Sequence, residues 1–512
     1  MGERRERIIN ARRIYITTAI PYVNGEPHIG HALELVQVDA LARAWRSAGH
    51  EVRTLTGTDD NALKNVRAAE AAGVPVADFV RAHGDQFVSL CEPLSVELDD
   101  VIRTSSDPRH RIGVERLWRA CAARGDLYLR DYEGAYCVGC EAFVDVEDLD
   151  ARGCCPEHRT QPDVVREPNW FFRLSRYGER IRAAIETGAL RIEPASRRNE
   201  VLAQLRTGLR DISVSRSFER AHGWGIAVPD DPSQVVYVWF DALANYVTAL
   251  GSGADEARWW HGADERIHLI GKGIIRFHAL YWPAILASAG LPLPTALFVH
   301  DYLTVDGAKI SKSIGNGVAP AELVGRFGTD AVRWWLLSEA PLGVDTDFTV
   351  ERLVRRANDD LANGLGNLVT RAVALVHRLR GGLVGEASAF ADVGDVDVGD
   401  VEVEVEVDVE VDVEFADALE AFDLRRATRR LRDLIDAANR ELERVRPWEL
   451  AKADPDDERI DEVLTDVVAR CRRLIALAAA FVPNIAAVAA RQIGTGATVG
   501  DPGRVFDRLD AP

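Results

Sequence analysis

Tyr15–His31 reads YITTAIPYVNGEPHIGH, and this stretch decides the fold of the chain. Its apolar, β-branched beginning, residues 14–20, predicts a buried first strand. A turn at Asn24-Gly25 follows, and apolar residues at helical spacing then run from His28–His31 to Trp45. A strand, a Gly/Pro loop and a helix N-terminus in this order direct backbone N–H groups and the positive end of a helix dipole toward an anion.

Two imidazoles mark the start of the predicted helix. His28 and His31 are three residues apart on one helix face, and Gly30 between them leaves room for a flat ligand against the backbone. The same spacing is also typical of a pair of metal ligands or of a solvated helix face. The four residues alone therefore leave the anion-binding interpretation open.

A lysine loop far downstream favours the anion. The segment Lys309-Ile310-Ser311-Lys312-Ser313 follows a strand-like run, residues 296–299, and lies among Gly and Ser. The chain holds only five lysines, and two of them are here. Because an ammonium on a flexible stem suits a triphosphate that is bound and then released, we predict that His28, His31, Lys309 and Lys312 are catalytic.

Composition bounds the class of protein. The chain has 512 residues, 47% of them hydrophobic and 28% charged, which predicts a soluble protein of several domains. We expect a cytoplasmic location, because the N-terminus lacks the apolar core of a signal peptide and no apolar run approaches the ~20 residues of a membrane span. Seven cysteines, an odd number, argue against a disulfide framework. The net charge of −19 does not exclude a nucleic-acid partner, since much of the acid excess lies in residues 392–414.

The predicted fold class is α/β: a Rossmann-like, doubly wound parallel sheet with an inserted zinc-knuckle connective domain and a C-terminal α-helix bundle. A Val/Asp/Glu repeat, residues 391–414, interrupts the bundle and is interpreted as a solvated insertion, because an isolated acidic strand would lack a partner. The predicted domains are the first half of a catalytic nucleotide-binding domain (13–108), the connective insertion (109–225), the second half of the catalytic domain (226–300), the lysine loop with a linking segment (301–362), and the bundle (363–512).

An acidic tip ends the second predicted strand. Residues 51–58 lead into Asp59-Asp60, and parallel sheets bind ligands at the carboxyl ends of their strands. Asp59 is therefore a candidate partner for the ammonium group of a substrate. One of the two carboxylates is also expected to N-cap the following helix, residues 63–72.

Cysteine spacing predicts a metal site in the insertion. Cys137-x2-Cys140 and Cys155-x2-His158 are separated by fourteen residues, which fits a closed, four-coordinate structural zinc site. Cys154 could replace Cys155, but only Cys155 gives a two-residue gap that matches the first pair.

Three rings are predicted to follow strand ends in the second half of the sheet. Residues 235–240 read as a strand that leads into a helix, and residues 267–270 as the next strand. Trp239, Tyr246 and His278 come shortly after these runs. They are either core aromatics or, opposite Asp59, a pocket for a soft apolar side chain.

A basic stripe runs along one helix of the bundle. The helix ends at Arg446-Pro447-Trp448, and such a surface could hold phosphates and stack a base. A salt-bridged helix face with a core tryptophan explains the pattern equally well. The stripe consists of Arg425, Arg426, Arg429, Arg430 and Arg432.

The ordered pair HIGH and KISKS, with an α/β pattern between, resembles the signature of class I aminoacyl-tRNA synthetases. Further motifs resemble the methionyl-tRNA synthetase family over nearly the whole chain. These are AIPYVNGEPHIGH, GTD at residues 57–59, NWFFRLS after the knuckle, YVWFDALANY at 237–246, GKxIxxFH at 271–278, DLANGLGNLVTR at 360–371 and NRELERVRPW at 439–448.

The resemblance implies ATP-dependent ligation of L-methionine to tRNA(Met) through methionyl-adenylate, with ATP and Mg²⁺ at the catalytic site and structural Zn²⁺ in the knuckle. It implies that His28 and His31 bind the phosphates, that Lys312 and Lys309 stabilise pyrophosphate, and that Asp59 binds the ammonium group. The implied methionine pocket consists of Ala19, Ile20, Tyr22, Trp239, Tyr246 and His278; the implied contacts to the CAU anticodon are Asn367, Arg371 and Trp448.

The chain departs from the family at two places. Gly273 stands where the family usually has Asp after Gly-Lys, which puts one ligand contact in doubt, and Asn61-Ala62 replace a usual His-Gly. The alternatives are therefore an adenylating paralogue for another amino acid or acceptor, and a non-catalytic RNA-binding paralogue. The chain ends after the bundle, without the further domain that makes some relatives dimers, so we expect a monomer.

Overall fold

The computed structural model describes residues 11–144, 147, 149–156, 159–309, 318–384 and 413–510, with the backbone alone for residues 142, 143, 308 and 309. The chain divides into two compact units. The first comprises Met1–Val38, Gly49–Cys91 and Glu97–Asp301, and the second Asp39–Ala48, Glu92–Val96 and Tyr302–Pro512. No helix among the described residues is long and apolar enough to span a bilayer.

A six-stranded parallel sheet organises the first unit, in the order β3-β2-β1-β12-β13-β7. Its strands are largely buried on both faces, as expected of a parallel sheet covered by helices. The order reverses between β1 and β12, which is where such sheets open a ligand crevice. The strands of this unit are β1 (Arg13–Thr18), β2 (Glu51–Thr58), β3 (Asp100–Arg103), β4 (Leu127–Cys137), β5 (Ala142–Val144), β6 (Asp163–Phe172), β7 (Arg191–Glu193), β8 (Ile212–Ser213), β9 (Ser215–Ser217), β10 (Ala227–Val228), β11 (Asp231–Val236), β12 (Glu265–Gly271) and β13 (Ala296–His300).

Helices cover the sheet and bury one continuous core, in which Tyr15, Trp260 and Trp282 are among the largest inaccessible side chains. The helices that contribute to the unit are Ile29–Ser47, which continues into the second unit, and Leu63–Ala72, Val76–Ser89, Pro108–Ala123, Gly178–Glu186, Ala195–Arg206, Val238–Thr248, Ala254–Glu256 and Trp282–Ala289. Shorter helical turns occupy Leu174–Arg176, Ala257–His261, Lys272–Ile274 and Phe277–Tyr281. The Rossmann-like sheet predicted from the sequence is thus confirmed.

The strand predicted over residues 235–240 is wrong in its second half. β11 ends at Val236, and Val238–Thr248 is a helix in which every side chain is buried. A helix that is buried on all sides has no solvent-facing polar side, so the apolar run at its start cannot be distinguished from a buried strand in the sequence.

The predicted insertion, residues 109–225, contains a sheet of its own and one strand of the central sheet. The antiparallel sheet has the order β5-β4-β6-β8, whereas β7 pairs in parallel with β13. A smaller sheet, β10-β11-β9, precedes the buried helix. The domain boundaries drawn from the sequence stay predictions.

Apart from three short strands, the regular structure described in the second unit is helical, which agrees with the predicted α-bundle. The strands are β14 (Leu303–Val305), β15 (Ala308–Lys309) and β16 (Thr346–Asp347). The helices are Pro320–Phe327, Thr329–Glu339, Val350–Arg356, Asn367–Arg380, Leu424–Val445, Pro447–Ala453, Glu458–Ala478 and Pro483–Ile493, with Ala357–Gly366 continuing the chain helically between the third and fourth. The Val/Asp/Glu repeat lies outside the described residues except for its last two, Val413 and Glu414.

A buried ion pair holds the second unit together. The guanidinium of Arg333 lies 2.7 Å from a carboxylate oxygen of Asp39, and neither side chain is exposed. Arg333 also donates to the carbonyl oxygens of Leu94, Ala480 and Phe481 at 2.9–3.1 Å. These carbonyls satisfy the remaining donors of the guanidinium, which a buried charge requires.

Candidate active site

His28 and His31 form a stacked pair at the N-terminus of the helix that follows β1. Their ring centroids lie 3.9 Å apart, with 26° between the ring planes. Nδ1 of His31 accepts the backbone N–H of His28 at 3.0 Å, and Nδ1 of His28 accepts that of Gly30 at 3.2 Å. Each neutral ring therefore carries its proton on Nε2, so both imidazoles are N–H donors at the positive end of a helix dipole.

Gly30 is required by the position of the first ring. A Cβ at residue 30 would lie 3.0 Å from Cε1 and from Nδ1 of His28, closer than side chains normally approach. The ring folds back over the backbone because no side chain occupies that place. The sequence predicted that Gly30 leaves room for a ligand, but in the structure the ring of His28 occupies this space.

Three buried polar atoms have no hydrogen-bond partner among the described residues, and the side chains that carry them form a chain of contacts. They are Oδ1 of Asp59, the hydroxyl of Tyr22 and Nε1 of Trp239. Asp59 follows β2 and forms a bridge with Tyr22, whose ring lies 6.2 Å from that of Trp239 in an edge-to-face arrangement. Buried polar groups in proteins are nearly always hydrogen-bonded, so a cluster of exceptions indicates a place that a ligand completes.

Burial raises the pKa of Asp59 well above its ordinary value, and the carboxylates of Asp241, Asp60 and Glu141 add to the effect. The side chain is 2% exposed. A carboxyl group in such surroundings gains most from a cation that neutralises its ionised form. An ammonium group would supply that charge.

The expectation that Asp59 or Asp60 caps the next helix is wrong. The N-cap residue of the helix Leu63–Ala72 is Ala62, and no side chain caps it. Asp60 instead accepts a hydrogen bond from the hydroxyl of Ser105 at 2.7 Å. A carboxylate oxygen of Glu141 accepts the backbone N–H of Lys64 at 2.7 Å. The donor at the helix start is satisfied by a residue 77 positions away, which no local pattern shows.

The aromatic rings predicted to follow strand ends lie together, although they belong to helical segments. Trp239 stacks on Phe277 with centroids 3.6 Å apart, and its ring meets that of His278 edge-on at 6.5 Å. The hydroxyl of Tyr246 lies 2.7 Å from Nε2 of His278. Nδ1 of His278 lies 3.0 Å from the carbonyl oxygen of Ile274, so Nδ1 donates and Nε2 accepts in the neutral ring.

Burial lowers the pKa of His278 to about 4. The ring is therefore neutral at pH 7, and the wall that it forms with Trp239 and Tyr246 is uncharged. Uncharged aromatic rings suit a polarisable, apolar side chain.

The depressed pKa predicts a pH-dependent stability. Below pH 6.5 the unfolded chain protonates this imidazole while the native protein does not, so the free energy of unfolding falls as the pH drops toward 4. The contribution of His278 is about 1.4 kcal/mol per pH unit. Denaturant titrations between pH 7 and 4.5 should show a shallower pH dependence for His278→Asn than for the unmodified protein. Parallel pH dependences would contradict the assignment.

The sequence analysis missed a hydrogen-bonded pair at this edge of the sheet, formed by the buried His300 and the partly buried Glu34. Oε2 of Glu34 accepts the backbone N–H of Ala19 at 3.2 Å, and Oε1 lies 2.9 Å from Nε2 of His300. Burial disfavours the imidazolium, but the hydrogen bond and charge of Glu34 outweigh it and raise the pKa of His300. Glu34 lies one helical turn after the HIGH motif, and this spacing is the only sequence feature that could have pointed to it as a site residue.

Of the other residues expected in the pocket, Ala19 and Ile20 directly follow β1. The backbone N–H of Ala19 also donates to Leu269 of β12, which places it at the point where the strand order reverses. Ile20 approaches Gly57 of β2, where an added Cβ would lie 3.1 Å from its methyl group. The structure thus brings Ala19, Ile20, Tyr22, Asp59, Trp239, Tyr246 and His278 to one edge of the sheet.

Three thiols converge in the predicted knuckle. The Sγ atoms of Cys137, Cys140 and Cys155 all lie within 4.8 Å of one another, and those of Cys140 and Cys155 are 3.5 Å apart. Tetrahedral zinc with bonds of about 2.3 Å holds sulfurs at roughly 3.8 Å, so the cluster fits a zinc knuckle. The cluster contains Cys155 and not Cys154. His158, the expected fourth ligand, lies outside the described residues.

The lysine loop is described only at its beginning. Lys309 ends β15, which pairs with β14 of the second unit. Its side chain, and all of Lys312, lie outside the described residues. Their catalytic roles therefore stay predictions.

The residues expected at the anticodon meet on one face of the bundle. The guanidinium carbon of Arg371 lies 5.8 Å from the ring centroid of Trp448, and Arg371 pairs with Glu443 at 2.6 Å. Asn367, one turn earlier on the same helix, donates to Asn439 at 3.3 Å. An unpaired base can stack on an aromatic ring and hydrogen-bond to a guanidinium or an amide, and this face offers all three groups.

Known families match both units. A family model described as tRNA synthetases class I (M) matches residues 14–163 and 157–373, which gives the class of the fold and of the site. A second model, the anticodon binding domain of methionyl tRNA ligase, matches residues 394–504.

Curated relatives and solved structures agree with these models. The methionine–tRNA ligase of Brucella suis is 38% identical over 483 residues, covering 93% of this chain and 91% of the relative. That of Mycobacterium leprae is 41% identical over 459 residues, covering 88% and 82%. The Mycobacterium tuberculosis methionyl-tRNA synthetase in complex with methionyl-adenylate superposes with a TM-score of 0.87 at 35% identity, covering 97% of this chain and 100% of that one. The chain belongs to the methionine–tRNA ligase family.

Proposed function

We propose that this protein activates L-methionine with ATP to form methionyl-adenylate and transfers the methionyl group to tRNA(Met). The observation that carries the proposal is the buried carboxylate of Asp59, with Oδ1 unpartnered, at the same sheet edge as the neutral aromatic wall. Relatives named methionine–tRNA ligase and a solved relative with bound methionyl-adenylate support it.

The amino acid is held by charge at one end and by rings at the other. Asp59 binds the ammonium group, whose charge offsets the burial that raises the pKa of the carboxyl. Trp239, Tyr246 and His278 accept the thioether, which gains from contact with aromatic rings. Ala19, Ile20 and Tyr22 complete the pocket and leave the methionine carboxylate facing the crevice.

The reaction is an attack of that carboxylate on the α-phosphorus of ATP, with pyrophosphate as the leaving group. Catalysis consists mainly of positioning and electrostatic stabilisation. The Nε2–H groups of His28 and His31 donate to phosphate oxygens, and the ammonium groups of Lys309 and Lys312 stabilise the charge on pyrophosphate. Mg²⁺ accompanies ATP as its usual counter-ion. The acyl group then passes to the terminal ribose of the tRNA, which releases AMP.

The bundle provides the site for the CAU anticodon. Trp448 stacks a base, while Asn367 and Arg371 hydrogen-bond base edges or phosphates. We further propose that the enzyme acts in the cytoplasm and is a monomer.

Zn²⁺ in the knuckle has a structural role, because Cys137, Cys140, Cys155 and His158 would leave no open coordination position. Replacing Cys155 by serine should lower the bound zinc from about one ion per chain to a small fraction of that and reduce the melting temperature. Cys154→Ser is the matched control and should keep its zinc. Equal zinc loss in both variants, measured by elemental analysis after dialysis, would contradict the ligand assignment.

Pyrophosphate exchange tests the proposed function. The protein is incubated with ATP, labelled pyrophosphate and one apolar amino acid at a time. We expect methionine alone to support rapid exchange. Exchange with another amino acid would indicate an adenylating paralogue, and no exchange with any of them a non-catalytic RNA-binding protein. The family match does not favour either alternative.

A further inference from the structure

The buried helix Val238–Thr248 carries two rings of the proposed pocket on one face and a carboxylate on another. Trp239 and Tyr246 are seven residues apart and share a face, whereas Asp241 is turned by about 200° from Trp239. Thr248, seven residues after Asp241, shares the face of Asp241. The rings and the carboxylate of this helix therefore point toward different neighbours.

A single histidine holds the face that carries Asp241. The ring of His110, on the helix Pro108–Ala123, lies with Nε2 2.5 Å from Oδ1 of Asp241 and with Nδ1 2.7 Å from the hydroxyl of Thr248. The side chains of His110 and Asp241 are both buried. Gly113 lets the two helices approach closely, because a Cβ there would lie 2.3 Å from the methyl carbon of Thr248. This face of the helix is thus fixed against its neighbour.

Asn61 occupies the second oxygen of the same carboxylate. Its side-chain amide donates to Oδ2 of Asp241 at 2.7 Å and lies 3.3 Å from the carbonyl oxygen of Thr104. Asn61 comes two residues after Asp59, in the loop that follows β2. The bond from Asn61 to Asp241 therefore joins the loop that carries Asp59 to the helix that carries Trp239.

The same bond decides which of two nearby carboxylates stays available. Burial raises the pKa of Asp59, and among its charged neighbours Asp241 adds most to the effect. Both oxygens of Asp241 have donors, whereas Oδ1 of Asp59 has no hydrogen-bond partner among the described residues. An amide satisfies Asp241 without placing a further charge beside the site. An ammonium group that enters is left with Asp59.

We propose that Asn61 is a positioning residue for the amino acid: by holding Asp241 it sets the separation between Asp59 and the aromatic wall, and thus the length of side chain that the pocket accepts. The two ends of the substrate are bound by separate elements, and a small shift of one against the other misplaces the reacting carboxylate. The inference rests on the proposed use of methionine.

The test compares methionine with ethionine, whose side chain is one carbon longer, in amino-acid-dependent pyrophosphate exchange. In Asn61→Ala the KM for methionine should rise roughly 10- to 100-fold, the scale of a misplacement that originates away from the reacting atoms. The KM for ATP should stay unchanged, and the preference for methionine over ethionine in kcat/KM should fall several-fold. Asn61→His, which keeps an N–H group for Asp241, should retain most of the preference.

Asn358→Ala is the matched control. Asn358 is also a partly buried amide, and it donates to the carbonyl oxygen of Leu509 at 2.9 Å in the second unit. Its replacement should lower the melting temperature and leave the KM for methionine and the preference over ethionine unchanged. Should Asn61→Ala fail to fold, Asn61→Ser, whose side chain is too short to reach Asp241, repeats the test.

Two results would overturn the inference. The first is a normal KM for methionine together with a normal preference over ethionine in folded Asn61→Ala or Asn61→Ser. The second is a loss in Asn61→His as large as that in Asn61→Ala, which would show that the donor to Asp241 is not what matters. Either result leaves the proposed function intact, because the unmodified protein would still exchange pyrophosphate with methionine. Absence of that exchange in the unmodified protein would reject the proposed function instead.

Discussion

Asp59→Asn is expected to raise the KM for methionine by roughly 10²- to 10³-fold, the cost of removing one partner of a buried charge pair. The variant keeps the shape of the side chain but loses the charge that we propose binds the ammonium group. Methionine-dependent pyrophosphate exchange at saturating ATP measures the effect. The KM for ATP should change little, since in the proposed site Asp59 contacts only the amino acid.

Stability should move in the opposite direction to activity. Because burial and the neighbouring carboxylates raise the pKa of Asp59, its ionised form costs folding free energy at neutral pH. The neutral amide removes that cost, so the melting temperature of Asp59→Asn should be unchanged or higher. Asp60→Asn is the matched control: burial raises the pKa of Asp60 as well, and an amide oxygen can still accept from Ser105, so this variant should also keep its stability but leave the KM for methionine near normal. A normal KM in Asp59→Asn would remove Asp59 from the site.

Lys312→Ala is expected to lower the pyrophosphate-exchange rate by roughly 10²- to 10³-fold, the scale of losing one preorganised charge contact. The loss should appear in kcat rather than in the KM for methionine, because the proposed role of this ammonium is to stabilise charge that develops on the leaving pyrophosphate.

Lys452→Ala provides the control for a missing lysine. Lys452 is exposed and pairs only with Glu449, three residues earlier on its own helix, among the contacts described. Its replacement should leave exchange unchanged. A near-normal rate in Lys312→Ala would exclude Lys312 from the mechanism.

The sequence predicted those parts of the site that depend on local pattern. The first strand, the loop and the helix that carries His28 and His31 follow one another within about 20 residues, and each has its own periodic or turn signal. The choice of Cys155 over Cys154 rests on a two-residue gap, which is also local. These features agree with the structure.

The parts that depend on distant partners could not be predicted. Glu141 satisfies the helix at Lys64 from 77 residues away, and Glu34 meets His300 across 266 residues. Such partners are set by the order of strands in the sheet, which leaves no periodic trace in the sequence. The helix Val238–Thr248 was misjudged at its start for a different reason, since burial on all sides erases the pattern that separates a helix from a strand.

Aminoacylation of tRNA is the most direct test of the central claim. Purified protein is incubated with ATP and labelled methionine, and with initiator tRNA, elongator methionine tRNA or a tRNA whose CAU anticodon has been changed. We predict that both methionine tRNAs are charged and that the altered tRNA is charged poorly. Binding of these tRNAs without any charging by methionine would contradict the account.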